Sequence, residues 1–276
     1  MMPTTENMKM VQATNNEMSA AEGLVDISYF AVTGEGDRDY NEDFYGHASS
    51  DEALTFVVSD GVGGQAGGLT ASRLVVEMVR KEAHAFDRDE MLRCYEAIKQ
   101  AIHQYQDQSP DHKKMGATVA ELRIDPVRNR ALWGHFGDSR IYWFRNNEIM
   151  AVTGDHSAVH SLVTAGLMSE QEASNHSRKN ILLGAFGVAS DISPEVLEKP
   201  VYLADGDAFL LCTDGLWNYL SDDQILNILK QSSNVADWVK TLEANVKQAP
   251  CDSKDNYTIL GVWITPSHER TIRLGS

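Results

Sequence analysis

Residues 24–33 (LVDISYFAVT) carry the short apolar pattern of a strand, and the polar loop GEGDRDYNED separates them from a second strand signal at TFVVS. From Leu69 the period changes. Ala71, Leu74, Val75, Met78 and Val79 recur at helical spacing, as do Met91, Leu92, Tyr95, Ile98, Ile102 and Tyr105, which predicts two consecutive amphipathic helices. Strand signals return at ATVAELRI, ALWGHF, RIYWFR and EIMAVT, with Asn146-Asn147 as a hairpin turn, so this region reads as an antiparallel meander. Residues 156–190 read as an insertion over the sheet edge, with a short helical piece opened by the capping-box pattern Ser169-Glu-Gln-Glu172. The strand DAFLLCT then leads into Asp214-Gly215. Ser221-Asp-Asp-Gln224 caps a helix around Ile225 to Leu229, Asn234 caps another through Val246, and YTILGVWI is a last strand after Asp255-Asn256. Strands, then helices, then strands point to a layered α+β fold, and no solenoid repeat interrupts the order.

Composition narrows the class. With hydrophobic residues at 42% of 276, the chain can bury a large core. No linker divides it, so residues 24–276 read as one domain behind a polar, disordered tail over 1–23. The formal net charge is −16, from 40 acidic against 24 basic residues, which repels an extended polyanion and argues against nucleic acid as partner. Cys94, Cys212 and Cys251 are odd in number and widely spaced, which fits neither a disulfide framework nor a zinc cluster and favours a cytoplasmic setting. The chain shows no signal-peptide core and no apolar run near the roughly 18 residues that a membrane span needs, so no membrane role is expected.

The candidate chemistry starts at residues 57–68, VVSDGVGGQAGG. Gly61 to Ala66 formally matches the dinucleotide fingerprint G-x-G-x-x-A, but the acidic strand end expected about 20 residues on is replaced by a second helix. No Gly-Lys-Ser/Thr follows to make a Walker loop. Two readings remain open: small residues at a strand-to-helix turn with Asp60 as a cap, or Asp60 as a metal ligand. The grammar of TFVVSDG recurs in FLLCTDG at 209–215, Asp138 and Asp255 also sit at strand boundaries, and Asp43 closes GDRDYNED. Like charges about 4 Å apart repel by about 4 kcal/mol at an effective dielectric near 20, so five converging acids call for divalent cations, and all-oxygen ligands favour magnesium or manganese. Asp37-x-Asp39-x-Asn41-x-Asp43 imitates the start of a calcium loop, yet Glu42 and Ala48 stand where that loop needs glycine and glutamate.

Taken in order, RDYNED (38–43), SDGVGG (59–64), GAT (116–118), GDSR (137–140), TGDHS (153–157), CTDGL (212–216) and DN (255–256) resemble the metal-dependent Ser/Thr protein phosphatases, the type 2C-like or PPM family, in its compact bacterial form. The resemblance spans residues 24–264. It implies a four-layer α-β-β-α sandwich with two central, mostly antiparallel sheets, and two Mn2+ or Mg2+ ions at one end of them. It further implies that Asp60 bridges the ions, the Gly61 carbonyl ligates one, and Asp214 and Asp255 complete the set. By the same resemblance Asp43 and Glu42 hold metal-bound waters, Asp138 holds a third, weaker ion, Arg38 binds the substrate phosphate, and 156–190 is a flap in which His176, Arg178 and Asn180 bias substrate choice. Arg140 and His156 carry structural roles, while Trp133, Trp143 and Trp217 belong to the core. The implied activity is hydrolysis of phosphoserine and phosphothreonine in proteins by a metal-bridged hydroxide, against an opposing Ser/Thr kinase in signalling or secretion control. A two-metal phosphodiesterase and a phosphatase-shaped binding regulator are the rival readings. One departure stands out: many eukaryotic members have histidine where this chain has Val62, which moves the proton donor elsewhere, to a water on the ion at Asp138.

Overall fold

The computed structural model describes residues 16–18 and 25–266, apart from 65, 109, 170–171, 174–175, 177–180 and 252. One sheet takes β1 (Asn16–Met18), β2 (Val25–Gly34), β9 (Arg140–Arg145), β10 (Glu148–Val152), β13 (Ala208–Cys212) and β14 (Tyr257–Pro266) in the order β1-β2-β14-β13-β9-β10. The second takes β3 (Phe44–Ser49), β4 (Leu54–Ser59), β7 (Val119–Asp125), β8 (Arg130–Phe136) and β11 (Glu195–Val196) in the order β11-β8-β7-β4-β3, with β12 (Val201–Tyr202) also on β8. Every pairing is antiparallel. A two-stranded piece joins β5 (Gly61–Val62) to β6 (Gly116–Ala117).

The period of two sorts the strand residues between cores. Ile27, Tyr29 and Ala31 of β2 meet Leu54, Phe56 and Val58 of β4 in one apolar cluster, together with Phe209 and Leu211 of β13 and Leu260, Val262 and Ile264 of β14. The opposite faces serve the helices. Val57, Val119 and Leu132 pack under α1 (Ala66–Glu82) and α2 (Arg88–Gln108), while Phe30, Leu210 and Ile259 pack under α5 (Asp222–Gln231) and α6 (Val235–Gln248). Two further helices are short: α3 (Ala158–Thr164) and α4 (Asp214–Trp217).

The capping patterns act as the sequence implies. Ser221 and Gln224 bond reciprocally at the start of α5, Asn234 accepts from the Asp237 amide at α6, and Ser169 and Glu172 close the same box within 156–190. Asn146 and Asn147 adopt φ of 51° and 61°, the left-handed pair that a tight hairpin between β9 and β10 requires.

Three elements depart from expectation. Asn16–Met18 pairs with β2, inside the segment read as a disordered tail; the rest of 1–23 lies outside the described residues. Strand β3 was hidden in what reads as loop, because Gly46 breaks its apolar alternation; a side chain there would collide with Val76 and Arg80 of α1. Helix α3 comes from the weakly periodic SAVHSLVT, with Ser157 as its cap. Among the described residues no helix is long and apolar enough to cross a membrane.

One charge network is centred inside the fold. Arg123, 0% exposed, bonds Glu121 at 2.7 Å and Glu90 at 2.6 Å, and its Nη1 also reaches the Ala85 carbonyl, which ties the α1–α2 connection to β7. Glu121 has no access to water, whereas Glu90 is 20% exposed. Replacing Glu121 by Leu is expected to cost about 3 kcal/mol in urea unfolding, because it leaves a buried guanidinium with only the partly exposed Glu90 as counter-charge, whereas Glu121→Leu with Arg123→Met should recover most of that loss.

Candidate metal centre

Both sheets deliver carboxylates to the same end. Asp60 follows β4, Asp214 follows β13 and opens α4, Asp138 follows β8, and Asp255 precedes β14. Asp60, Asp138, Asp214 and Asp255 line one cleft of about 350 Å3 together with Arg38, Glu42, Gly61 and Val62. Asp43, immediately before β3, is buried. Its Oδ2 accepts from the hydroxyls of Thr213 at 2.8 Å and Thr258 at 2.9 Å.

The backbone around Asp60 is held by hydroxyls. The Asp60 amide donates to Thr118 Oγ1 at 2.9 Å, the Thr118 amide donates back to the Asp60 carbonyl, and Thr118 Oγ1 meets Ser139 Oγ at 2.6 Å. This is a closed turn. The glycines after it admit other backbone: a Cβ on Gly61 would run into the Gly68 and Glu42 carbonyls. Asn256 fixes the opposite loop, donating to the carbonyls of Glu35 and Tyr40 and accepting from the Glu42 amide at 2.8 Å. Arg38 Nη2 pairs with Asp255 Oδ2 at 2.8 Å, and this ion pair raises the guanidinium pKa.

The acids feel one another. Burial pushes the Asp60 carboxyl well above the usual range, and the charges of Asp43, Asp214, Asp138 and Asp255 push the same way. Asp138 is raised by burial and then by Asp214, and Glu42 by burial and then by Asp255. Burial lifts Asp43 to about 8 despite the stabilising Thr213 and Thr258 hydroxyls. Two buried oxygens, Asp43 Oδ1 and Glu42 Oε1, have no partner among the described residues. Hard oxygen donors left in surplus, in a site that disfavours their charge, fit hard divalent cations.

A second cluster, His135, His156 and Glu195, brings its ligand atoms within 4.8 Å of one another. Its hydrogen bonds argue against a metal. The Gly137 amide donates to His156 Nδ1, so the proton of the neutral ring is on Nε2, facing Glu195 at 3.3 Å. His135 donates to the Gly154 carbonyl at 2.8 Å and stacks on His156 at 4.7 Å. These rings brace the turn that carries Asp138.

With this geometry in view, the family model described as Protein phosphatase 2C matches residues 35–252. The chain belongs to that family. The protein phosphatase PhpP of Streptococcus pneumoniae is 32% identical over 230 residues, covering 80% of this chain and 91% of PhpP. The solved structure of the S. agalactiae serine/threonine phosphatase superposes with a TM-score of 0.77 at 30% identity, covering 86% of this chain and 99% of that one. A catalytic domain of the serine/threonine phosphatase PstP, solved with two manganese ions, gives a TM-score of 0.72 at 28% identity, covering 87% and 99%.

In this protein phosphatase 2C chain, Arg38, Glu42, Asp60, Gly61, Asp138, Asp214 and Asp255 meet at one cleft, with Asp43 buried and bonded to Thr213 and Thr258. Arg140 forms a bidentate pair with Asp155, both bonds at 2.8 Å. Trp133 and Trp143 pack at the inter-sheet core. Trp217 does more than fill space, since its indole N–H donates to the Asp138 carbonyl at 3.0 Å. His176 is half-buried, while Arg178 and Asn180 lie outside the described residues. Sequence reasoning assigned no task to Thr118, Thr213, Thr258 or Asn256. Their signal is a hydroxyl or amide at an otherwise apolar strand end, as in GATVAEL and DNYTILG.

The raised acids set a pH dependence. A carboxyl at about 4 unfolded and about 8 folded binds its proton more tightly in the native state, so its contribution to stability falls as pH rises from about 4 through about 8. In chelator, the melting temperature is expected to drop across pH 5 to 8. Added Mn2+ should raise it most at the upper end, as read by scanning calorimetry.

Proposed function

We propose that the chain hydrolyses phosphoserine and phosphothreonine in proteins, using two divalent cations, Mn2+ or Mg2+, and works in the cytoplasm against a Ser/Thr kinase. The observation that carries the reading is the meeting of Arg38 with Asp60, Asp138, Asp214 and Asp255 at one cleft, in a chain of the protein phosphatase 2C family. Asp60, Asp214, Asp255 and the Gly61 carbonyl would hold the two ions, Asp43 and Glu42 would hold their waters, and Asp138 would hold a third. When bound, the ions supply a nucleophilic water of lowered pKa and neutralise phosphoryl oxygens.

The side chains do the rest. Arg38 engages Asp255 through Nη2 alone and is 56% exposed, so its planar fork is available to phosphoryl oxygens. The rim around it disfavours polyanions, because the six carboxylates of Asp39, Glu42, Asp60, Asp138, Asp214 and Asp255 line the cleft opposite Arg38. Among the described residues no histidine lines the cleft, and Val62 has no proton to give, so the leaving alcohol is assigned a proton from solvent there. Asp138 is assigned to organise that solvent.

Hydrolysis of an aryl phosphate monoester tests the reading. Turnover should require Mn2+ or Mg2+, vanish in chelator, and fall on the order of 100-fold or more in Asp60→Ala and Asp214→Ala. Arg38→Ala should raise KM more than Arg38→Lys does. Turnover that persists in chelator or in both aspartate variants would defeat it, and preferential cleavage of a bis-aryl diester would replace it with a phosphodiesterase.

A further inference from the structure

A second groove, of about 410 Å3, runs between α3 and the α4–α5 corner, and no role assigned so far uses it. Val159 and Val163 of α3, with Leu220 and Trp217, give it apolar walls. Asp222 and Asp223 stand exposed at its rim. We propose that this groove is a substrate subsite that takes a lysine or arginine side chain flanking the phosphorylated residue, an inference that rests on the phosphatase reading above.

Charge decides the occupant. Arg140, the one arginine in the groove among the described residues, is already neutralised: it gives Nε and Nη2 to Asp155, gives Nη1 to the Tyr142 hydroxyl, and lies 3.9 Å over the Trp217 ring. Asp222 accepts a hydrogen bond from the Tyr142 hydroxyl at 3.0 Å, but neither Asp222 nor Asp223 has an ion-pair partner among the described residues. Both open α5, whose N-terminus favours acidic side chains, and neither is neutralised by a cation among the described residues, so two negative charges stand above an apolar wall. A long basic side chain matches both features, laying its methylenes on the valines and its cationic head at the rim.

A third observation asks for a donor. Asn218 lines the groove and gives its Nδ2 to Asp214 at 3.0 Å, while its Oδ1 is buried with no partner. A buried amide oxygen without a donor is unfavourable, which leaves Asn218 able to take a further hydrogen bond where it borders the groove.

The groove lies beside the phosphate cleft, although the two share no lining residue. Asp214 lines the cleft and Asn218 the groove, one turn of helix apart, or about 5–6 Å along the axis. Trp217 lines the groove and bonds the carbonyl of Asp138, which lines the cleft. An extended peptide advances about 3.3 Å per residue, so the basic side chain belongs about two to four positions from the phosphoresidue.

The test uses phosphothreonine peptides with one arginine scanned over positions two to four on either side, each matched by a glutamate version, with the aryl phosphate as control. The wild-type chain with Mn2+ should prefer the best arginine peptide about three- to fivefold in kcat/KM, through KM, and more so at low salt. Asp223→Lys should erase or reverse that preference and leave aryl phosphate turnover unchanged. A preference that survives Asp223→Lys, or no arginine preference in the wild type, overturns the subsite. Fluorescence anisotropy with the same peptides in chelator separates the two readings. If neither peptide nor aryl phosphate is hydrolysed, the phosphatase reading fails. The subsite then stands if the arginine peptide binds more tightly than its glutamate pair and loses that advantage in Asp223→Lys, and it falls if the two bind alike.

Discussion

Mutual repulsion among carboxylates at one end of the two sheets is the constraint around which the rest is arranged. Asp43, Asp60, Asp138, Asp214 and Asp255 act on one another strongly enough that burial and neighbouring charge raise three of them above the usual range. An unsupported chain would splay such a cluster into water. Here the apolar sorting of β4, β13 and β14 into two cores fixes where the strands end, and the acids are attached to those ends. Hydrophobic burial distributed over the strands thus holds a local arrangement that electrostatics alone opposes.

The support nearest the acids consists of neutral hydrogen-bonding groups. Thr118 closes the Asp60 turn, Thr213 and Thr258 grip one oxygen of Asp43, and Asn256 ties the 35–42 loop to the start of β14. Neutral donors stabilise a carboxylate without cancelling the net negative charge that a cation needs. A lysine or arginine in the same places would occupy the donors instead. Among the described residues Arg38 is the only guanidinium in the lining of the cleft, and it sits at the exposed rim.

This division explains what could be read from the sequence. Asp60, Asp138, Asp214 and Asp255 were legible because each follows or precedes an apolar run, as in TFVVSDG and FLLCTDG, so periodicity places them at strand ends, whereas Asp43 was legible only as the close of a polar loop. The helices and most strands were legible for the same reason. Strand β3 was not, since Gly46 serves the close approach of α1, a tertiary fact with no local signature. Helix α3 was missed because its exposed Leu162 breaks the apolar stripe. The hydroxyl supports were missed because a threonine in a strand suits β geometry anyway, and only the fold reveals which partner it faces.

Helix α4 shows how few residues can join two tasks. Successive helical positions turn by about 100°, so a single turn presents its side chains in different directions. Thr213, at its cap, reaches back to Asp43, Asp214 faces the cleft, Trp217 supports the Asp138 carbonyl, and Asn218 returns to Asp214. Gly215 sits against the Asn256 carbonyl, where a Cβ would collide, so the turn is pressed directly onto the loop that carries Asp255. A displacement of α4 from either side is therefore transmitted to at least two of the carboxylates. Whatever occupies the neighbouring groove rests on the same turn that positions the acids.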